Sequence, residues 1–237
     1  MSRTDENVVN LFNTGLYTVG DVSRLTHIHP QRISRWMRGY SYSLSGEKRS
    51  KEPIWQPETP RVDGMITMGF NDLLEIRFVN ALREYNISLK KIRNAVTELG
   101  NILGKRYPFS SRTVFVIGRD LITQLHDDEG RPLFIELSGS RQTIFYETTL
   151  PALEKGLIFE GDIVGKWYPD IDGHPNIVIN PRVLFGAPVI EGTRLSTNFV
   201  FGAYKAEGTY ENVAYWYGIG TEAIRQAVSF HRQHSAA

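Results

Sequence analysis

The feature that most constrains this fold is a pair of short helical patterns separated by a connection of only four residues, 26–29. The first pattern follows Thr18, a residue type that caps helix N-termini. Its apolar residues recur at helical spacing at Val19, Val22 and Leu25. The second pattern begins at Pro30, whose missing N–H costs nothing at the first position of a helix, and it ends at Gly39. Because the connection is so short, the pattern predicts a helix-turn-helix.

The second helix has two chemically different faces. Its apolar residues are predicted to pack inward, and they are Ile33, Trp36 and Met37. The opposite face carries Gln31, Ser34, Arg35 and Arg38, flanked by Arg32. Arginine can hold guanine, and glutamine adenine, through two hydrogen bonds, and residues near the N-terminus of such a helix reach base edges. We therefore predict that Gln31, Arg32 and Arg35 contact bases, although many arginine-rich faces are simply solvated.

Basic residues continue beyond this helix. From Arg24 to Lys51 the chain has seven basic residues and one acidic residue. The segment 40–69 predicts two edge strands, Tyr40–Leu44 and Ile54–Trp55, around a flexible basic tip. Such a hairpin is typical of a winged helix-turn-helix. Contacts to phosphates supply affinity but little sequence information, and they are predicted for Ser34, Arg38, Lys48, Arg49 and Lys51.

The rest of the chain divides into helical and strand-like regions. Helices are predicted over Phe70–Tyr85, Leu89–Leu103, Asn198–Ala206, Tyr210–Trp216 and Thr221–Gln233. Short strands are predicted over Thr113–Ile117, Leu121–Leu125, Pro132–Leu137 and Ile163–Tyr168. The predicted fold class is mainly α with small β elements. It comprises a winged helix-turn-helix region (1–112), a β-rich connector (113–170) and a C-terminal three-helix domain (171–237).

Composition and missing motifs argue against several other classes of protein. The chain has 237 residues, 41% of them apolar, and no cysteine, which excludes a disulfide scaffold and a thiolate metal site. No apolar run approaches the roughly 20 residues of a membrane helix, and the N-terminus has no apolar signal region. We therefore expect a soluble, cytoplasmic protein without a membrane partner. Because no P-loop, G-x-S-x-G or H-E-x-x-H motif occurs, we expect no enzymatic activity, no metal and no cofactor.

Several local patterns favour a structural interpretation over a ligand site. The pattern Gly218-x-Gly220 resembles a dinucleotide fingerprint, but too few residues follow it, so helix capping is predicted. The acidic residues 127–129 predict a solvated turn rather than a cation site. Histidines towards the two ends of the chain lack partners at zinc-finger spacing, and the C-terminal pair lies where disorder is the default. They are His27, His29, His231 and His234.

Two strings in the first half resemble MerR-type regulators. The string YTVGDVSRLTHIHPQRISRWMRG, from Tyr17 to Gly39, resembles their N-terminal module, in which a helix-turn-helix precedes a wing. The string FNDLLEIRFVNALREYNISLKKIRNAV resembles the helix pair that follows the wing. The similarity spans Tyr17–Pro108 and implies a DNA-binding unit. The long dimerising helix and effector pocket of those regulators are not apparent afterwards, so effector sensing is not carried over.

A third string, NPRVLFGAPVIEGTR from Asn180 to Arg194, resembles the bacterial domain of unknown function four-three-three over Ile177–Gln233. Its prolines and glycines predict a packed turn in which Arg194 bonds backbone carbonyls. The combination with a MerR-like unit resembles the larger VapB-type antitoxins. That resemblance implies a protein that binds its own promoter and neutralises a PIN-like ribonuclease toxin, but it transfers no toxin-contact residues. The eleven basic and fifteen acidic residues of 111–237 are compatible with masking a nucleic-acid-binding toxin.

Three functions remain open at this point. The first is an antitoxin and autorepressor that binds paired half-sites of its own operator as a homodimer or in a larger assembly with toxin. The second is a one-component regulator in which residues 113–170 bind a small molecule. The third is an interaction scaffold that keeps the helix-turn-helix only as a fold. Burial of the cationic helix face would exclude the first two.

Overall fold

The computed structural model describes residues 14–84, 86–103, 107, 114–117, 120–126, 132–136, 155–161 and 163–235. The helices in these parts are α1 (Val19–Thr26), α2 (Pro30–Arg38), α3 (Phe70–Glu84), α4 (Leu89–Leu103), α5 (Thr197–Glu207), α6 (Tyr210–Tyr217) and α7 (Thr221–Ser235). The first strands are β1 (Tyr17–Thr18), β2 (Tyr40–Leu44), β3 (Glu47–Lys51), β4 (Thr67–Met68), β5 (Val114–Ile117) and β6 (Asp120–His126). They are followed by β7 (Pro132–Glu136), β8 (Leu157–Glu160), β9 (Ile163–Trp167), β10 (Ile177–Val178) and β11 (Val189–Ile190).

The predicted class, mainly α with small β elements, is confirmed. The strands described here pair antiparallel, as β1 with β4, β2 with β3, β5–β6–β7 in order, β8 with β9, and β10 with β11. The predicted strands in the connector are found to within one or two residues at each end. The bounds of the predicted helices also agree closely with the observed ones, because caps and apolar spacing depend only on residues close in sequence.

The predicted strand at Ile54–Trp55 is wrong. Strand β2 pairs instead with β3 through Ser45 and Gly46, which both have the positive φ that a two-residue hairpin turn requires. The basic run therefore lies along a strand and not in a flexible tip. Ile54 and Trp55 are buried: the Ile54 N–H donates to the Trp36 carbonyl at 2.9 Å, and the Trp55 indole N–H donates to Asp72 at 2.8 Å. Their apolar surface packs into the core rather than stabilising a hairpin.

One cluster of buried side chains runs through both ends of the chain. It contains Trp36 of α2, Leu73 of α3, Ile179 after β10 and Phe230 of α7. Helix α1 also packs directly against α7. The division into 1–112, 113–170 and 171–237 stays a prediction. The described parts of the first and last of these regions nevertheless share one core, so they are not separately packed bodies.

Candidate nucleic-acid interface

The starts of α1 and α2 are fixed by local hydrogen bonds. The Thr18 hydroxyl accepts from the Asp21 N–H at 3.2 Å, while the Asp21 carboxylate accepts from the Thr18 N–H at 2.8 Å, which is a reciprocal capping box. His27 ends α1 in the left-handed conformation, with φ of 57°. The Nδ1 atom of His29 accepts from the Gln31 N–H at 3.2 Å and so caps α2. Each of these contacts joins residues no more than three apart in the sequence, which explains why the sequence predicts the pair correctly.

The two faces of α2 separate as expected. Ile33, Trp36 and Met37 are buried in the core. The opposite side chains of Gln31, Arg32, Arg35 and Arg38 are exposed, and Ser34 is half-buried. Burial of the guanidinium face would have excluded a DNA-binding role, but this face is exposed. Contact of these side chains with bases or phosphates stays a prediction.

The three arginines of α2 make no ion pair with any carboxylate in the described part of the chain, so their charges are available to a ligand. Arg32 donates to the Asn80 side chain of α3 at 3.1 Å, and Asn80 in turn donates to Glu84 at 2.8 Å. This bond occupies one of the five N–H donors of Arg32 and holds its side chain against α3. The guanidinium of Arg35 lies 5.8 Å from the centre of the Tyr40 ring and carries no such tether.

Strands β2 and β3 form a basic hairpin whose two sides differ. In the register, Tyr40 lies opposite Lys51 and Tyr42 lies opposite Arg49, so these four residues share one side. Lys48 lies opposite Ser43 and, because strand side chains alternate, is on the other side. The contact between Arg35 and Tyr40 shows that the tyrosine-bearing side adjoins α2. Of the predicted phosphate contacts in the hairpin, only Arg49 and Lys51 therefore face the same way as Arg35.

The hairpin is placed against α2 by a close backbone contact at Gly39. This residue has φ of 71°, and a Cβ atom there would lie 2.1 Å from the carbonyl oxygen of Lys51. Only glycine permits that approach. The chain after β3 is fixed by a hydrogen bond of 3.0 Å from the Arg93 guanidinium of α4 to the Glu52 carbonyl. The position of the hairpin relative to α2 is thus set by a backbone contact at Gly39 and by a side-chain hydrogen bond just after β3.

A cleft of about 610 Å³ lies between α2, the end of α3 and the start of α4. It is lined by His29, Gln31, Arg32, Arg35, Trp36, Tyr40, Arg83, Glu84 and Leu89. All three predicted base-contacting residues border this one space. Sequence reasoning did not single out Tyr40, Tyr42 or Arg83 as part of the surface. The alternating pattern YSYS could have placed the tyrosines, but Arg83 becomes a neighbour only through the packing of α3.

The C-terminal string Asn180–Arg194, called the turned motif below, is joined to β1 at a buried junction. The Tyr17 hydroxyl donates to the Gly186 carbonyl at 2.9 Å, and the Leu16 N–H donates to the Phe185 carbonyl at 2.9 Å. A Cβ atom on Gly186 would lie 1.9 Å from the Tyr17 hydroxyl, which explains a glycine at this position. Burial, with smaller effects of Asp21 and Glu58, raises the pKa of Tyr17, so the phenol stays a neutral donor. The turn itself is closed by Thr193, whose hydroxyl donates to the Ile190 carbonyl at 2.8 Å, whereas Arg194 is exposed.

The C-terminal histidines are ordered parts of α7, so the expectation of disorder there is wrong. His234 is buried, stacks on Phe230 with ring centres 3.9 Å apart, and lies 5.0 Å from the ring of His27. Burial lowers the pKa of His234, and the nearby His27 and His174 lower it further, while the Phe230 carbonyl opposes this. Burial and the charge of Arg24 also lower the pKa of His231. Sequence position alone gave no sign that α1 packs against this end of the chain.

A second cleft, of about 480 Å³, lies at the same junction and is called the junction cleft below. Its walls include Arg24 of α1, Phe185 of the turned motif and His231 of α7. Polar and apolar groups therefore meet in a space bordered by both ends of the chain. Unlike the cleft beside α2, this one is bordered by residues of both α1 and α7.

The remaining patterns have structural explanations where they are described. Gly218 ends α6 with φ of 64°, which confirms helix capping. The acidic residues 127–129 lie outside the described residues. Within the described ranges, no group of three or more histidine or carboxylate side chains is placed to hold a metal ion. The helices described here are all too short or too polar to cross a membrane.

Two family models match parts of this chain. Residues 15–96, which include α1, α2, the basic hairpin and α3, match the model described as "Putative DNA-binding HTH domain". Residues 177–231, which include the turned motif and most of the three C-terminal helices, match the model described as "Protein of unknown function (DUF433)". The two matches fall on the two parts that the junction joins.

Over nearly its whole length the chain is similar to proteins of Mycobacterium tuberculosis. It is 22% identical over 234 residues to the protein named "Putative antitoxin VapB45", with 94% of this chain and 97% of that protein covered. It is 24% identical over 242 residues to "Uncharacterized protein Rv2308", with 99% and 98% covered. The crystal structure of Rv2018 from the same organism superposes with a TM-score of 0.58 at 18% identity, covering 90% of this chain and 96% of that one. The last comparison shows a shared fold.

Proposed function

We propose that this protein is the antitoxin of a bacterial type II toxin–antitoxin module, which represses its own promoter and neutralises a PIN-like ribonuclease. The observation that carries the DNA-binding part is the exposed face of α2. Gln31 and Arg35 lie one turn apart on that face, and Arg35 has no carboxylate partner among the described residues. A helix of nine residues, about 14 Å long, fits the width of the major groove.

The hairpin supports the same placement. Its tyrosine-bearing side, with Arg49 and Lys51, adjoins α2 and is suited to phosphates flanking the groove. Arg38 at the end of α2 extends this cationic surface. With α2 in the groove, the hairpin takes the part of a wing. Paired half-sites would require two copies of the chain, so a homodimer or a larger assembly with toxin is part of the proposal.

The antitoxin part is supported by the similarity to a protein named as an antitoxin, which extends across almost the entire chain. The chain also contains a second unit, residues 177–231, which matches a different family model from the helix-turn-helix and is a candidate place for a protein partner besides DNA. We propose the PIN-like ribonuclease as that partner.

The test is a pair of measurements on the full-length protein. In mobility-shift titrations, the duplex upstream of its own gene should be bound at least a hundredfold more tightly than a scrambled duplex at equal salt. The product of the adjacent reading frame should co-purify with the protein and lose ribonuclease activity in the complex. Equal affinity for both duplexes would reject the repressor and leave an interaction scaffold. Ribonuclease activity unchanged by the protein would reject the antitoxin.

A regulator that senses a small molecule is the second candidate. The sequence places this ligand in the connector, 113–170. The structure describes few side chains of that region. The junction cleft favours this candidate from another position, because it borders α1. If this candidate is correct, a compound that protects the protein against thermal unfolding should also change its operator affinity. A His231→Leu variant should lose both effects.

A further inference from the structure

A cluster of exposed aromatic side chains occupies one surface of the C-terminal helices. It consists of Phe199 of α5 and Tyr215, Trp216 and Tyr217 of α6, and is called the aromatic patch below. The exposed fractions are 81% for Tyr215, 66% for Trp216 and 49% for Phe199. The rings form two contacting pairs: the ring centres of Phe199 and Tyr217 lie 5.4 Å apart, edge to face, and those of Tyr215 and Trp216 lie 5.7 Å apart.

The rings of the aromatic patch on α6 are not needed to pack this helix against the core. Helix α6 buries Val213 and Ala214 against its neighbours, so its core-facing side is already complete. If each ring offers roughly 200 Å² of surface, the patch leaves roughly 500 Å² of aromatic surface in water. Exposed apolar surface of that size, concentrated on one short helix and its neighbour, is often an interaction site. Trp and Tyr are also the residues that contribute most to binding energy at protein interfaces.

The charges around the patch identify the kind of partner. Residues 206–224, which contain α6, carry three glutamates and no lysine or arginine. Glu211 lies one helical turn before Tyr215 and so borders the same surface. Arg225, just beyond this stretch, lies 3.9 Å from Glu211 and 3.8 Å from Glu222, and its guanidinium lies 4.6 Å from the centre of the Tyr210 ring.

These charges argue against two other occupants. Single-stranded nucleic acid also stacks on exposed aromatic rings, but it requires a positively charged groove, and α6 has no positive residue. A second copy of this chain would meet the patch with the same acidic rim, which brings like charges together. A basic protein surface can bury the aromatic rings and also pair its cations with the glutamates around them.

We propose that the aromatic patch is the docking site for the basic, RNA-binding surface of the ribonuclease toxin. The inference rests on the antitoxin part of the proposed function and names its contact surface. A nuclease must attract phosphates, so its substrate-binding surface is positively charged. Docking at the patch covers that surface, and inhibition then follows from blocked access to RNA.

The experiment measures binding of the full-length protein to the purified ribonuclease encoded by the adjacent reading frame. Trp216→Ala and Tyr215→Ala should each weaken binding about thirtyfold and restore RNA cleavage in proportion. The double change Glu211→Gln with Glu222→Gln should slow association and flatten its salt dependence. The matched control is Ile163→Ala, which truncates another exposed apolar residue on β9 and should change the dissociation constant less than twofold. Operator affinity, measured in parallel, should be unchanged in every variant.

Each other outcome overturns a defined part of this scheme. If the wild type binds and inhibits the ribonuclease but Trp216→Ala and Tyr215→Ala do so equally well, the patch is not the contact surface and the antitoxin function stands. If the wild type does not bind the ribonuclease, the antitoxin function itself fails and the inference fails with it. If sedimentation shows that Trp216→Ala dissociates a dimer, the patch belongs to a second copy. If Trp216→Ala abolishes binding of single-stranded RNA to the protein, the patch is a nucleic-acid site.

Discussion

Arg35 is the side chain of α2 best placed for specific recognition. It is exposed, it borders the cleft beside Gln31, and its nearest described ring contact, with Tyr40, leaves its hydrogen-bond donors free for a base. Arg32 differs because a bond to Asn80 holds it against α3. Two arginines that are equivalent in sequence are therefore unequal in the structure.

The Arg35→Ala variant tests this difference. We expect it to weaken operator binding by about 1–3 kcal/mol and to relax the preference at one base position, because a two-bond contact to guanine is lost. Mobility shifts with operator duplexes substituted at single positions measure both effects. Arg182→Ala removes an exposed arginine from the C-terminal part and serves as the control. An equal loss on specific and random duplexes would show that Arg35 contacts phosphate instead.

His234 makes stability depend on pH. Its folded-state pKa lies below the ordinary value of 6.5 because burial disfavours the charged ring. Below that value the unfolded chain binds more protons than the folded chain, so the free energy of unfolding should fall as pH drops from 7 to 5. Urea unfolding at several pH values should show this, and His234→Leu should reduce the dependence, while His231, whose pKa is also lowered by burial, keeps part of it. His29→Asn, which keeps a side-chain acceptor at the α2 cap, should leave it unchanged.

At the scale of elements, the basic hairpin matters because its two sides are not equivalent. Residues that are neighbours in sequence, Lys48 and Arg49, lie on opposite sides of it. Its position is fixed by the close approach at Gly39, so the side with Arg49 and Lys51 is held beside α2. A basic run in the sequence therefore becomes a directed surface only through strand pairing.

We expect the double change Arg49→Ala with Lys51→Ala to weaken binding to all duplexes alike. Two lost phosphate contacts should reduce the slope of log affinity against log salt by about 2. Lys48→Ala removes one charge of the same hairpin on its other side and should change the slope by much less. Titrations between low and moderate salt measure the slopes. A Lys48→Ala effect as large as half that of the double variant would contradict the assignment of sides.

At the scale of the whole molecule, the junction makes the helix-turn-helix unit and the C-terminal unit one structure. The bond from Tyr17 to Gly186 spans 169 residues and is buried. Helix α1, which sets the position of α2, packs on α7, which also supports α6 and its aromatic patch. The two units therefore share one continuous core.

Gly186→Ala should disrupt this junction. The new Cβ collides with the Tyr17 hydroxyl, and φ of 80° is unfavourable for alanine. Gly192→Ala is the matched control, since its φ of 76° is equally unfavourable but its Cβ meets open space. Urea unfolding should give a larger loss of stability for Gly186→Ala than for Gly192→Ala. Equal losses for the two alanine variants would show that the collision with Tyr17 adds nothing to the cost.

Tyr17→Phe tests the hydrogen bond of the junction separately. It leaves the Gly186 carbonyl buried without its donor and should lower the free energy of unfolding by about 1–3 kcal/mol.

The sequence by itself determined the elements whose signals are local. Thr18, Pro30 and Gly39 mark the ends of α1 and α2, and apolar spacing fixes which face of α2 is exposed, because both depend on contacts within one or two helical turns. Only the tertiary structure decided the strand that pairs with β2, the burial of His234 and the bond from Tyr17 to Gly186. Those outcomes depend on which distant surfaces compete for the same core, and no local pattern records that competition.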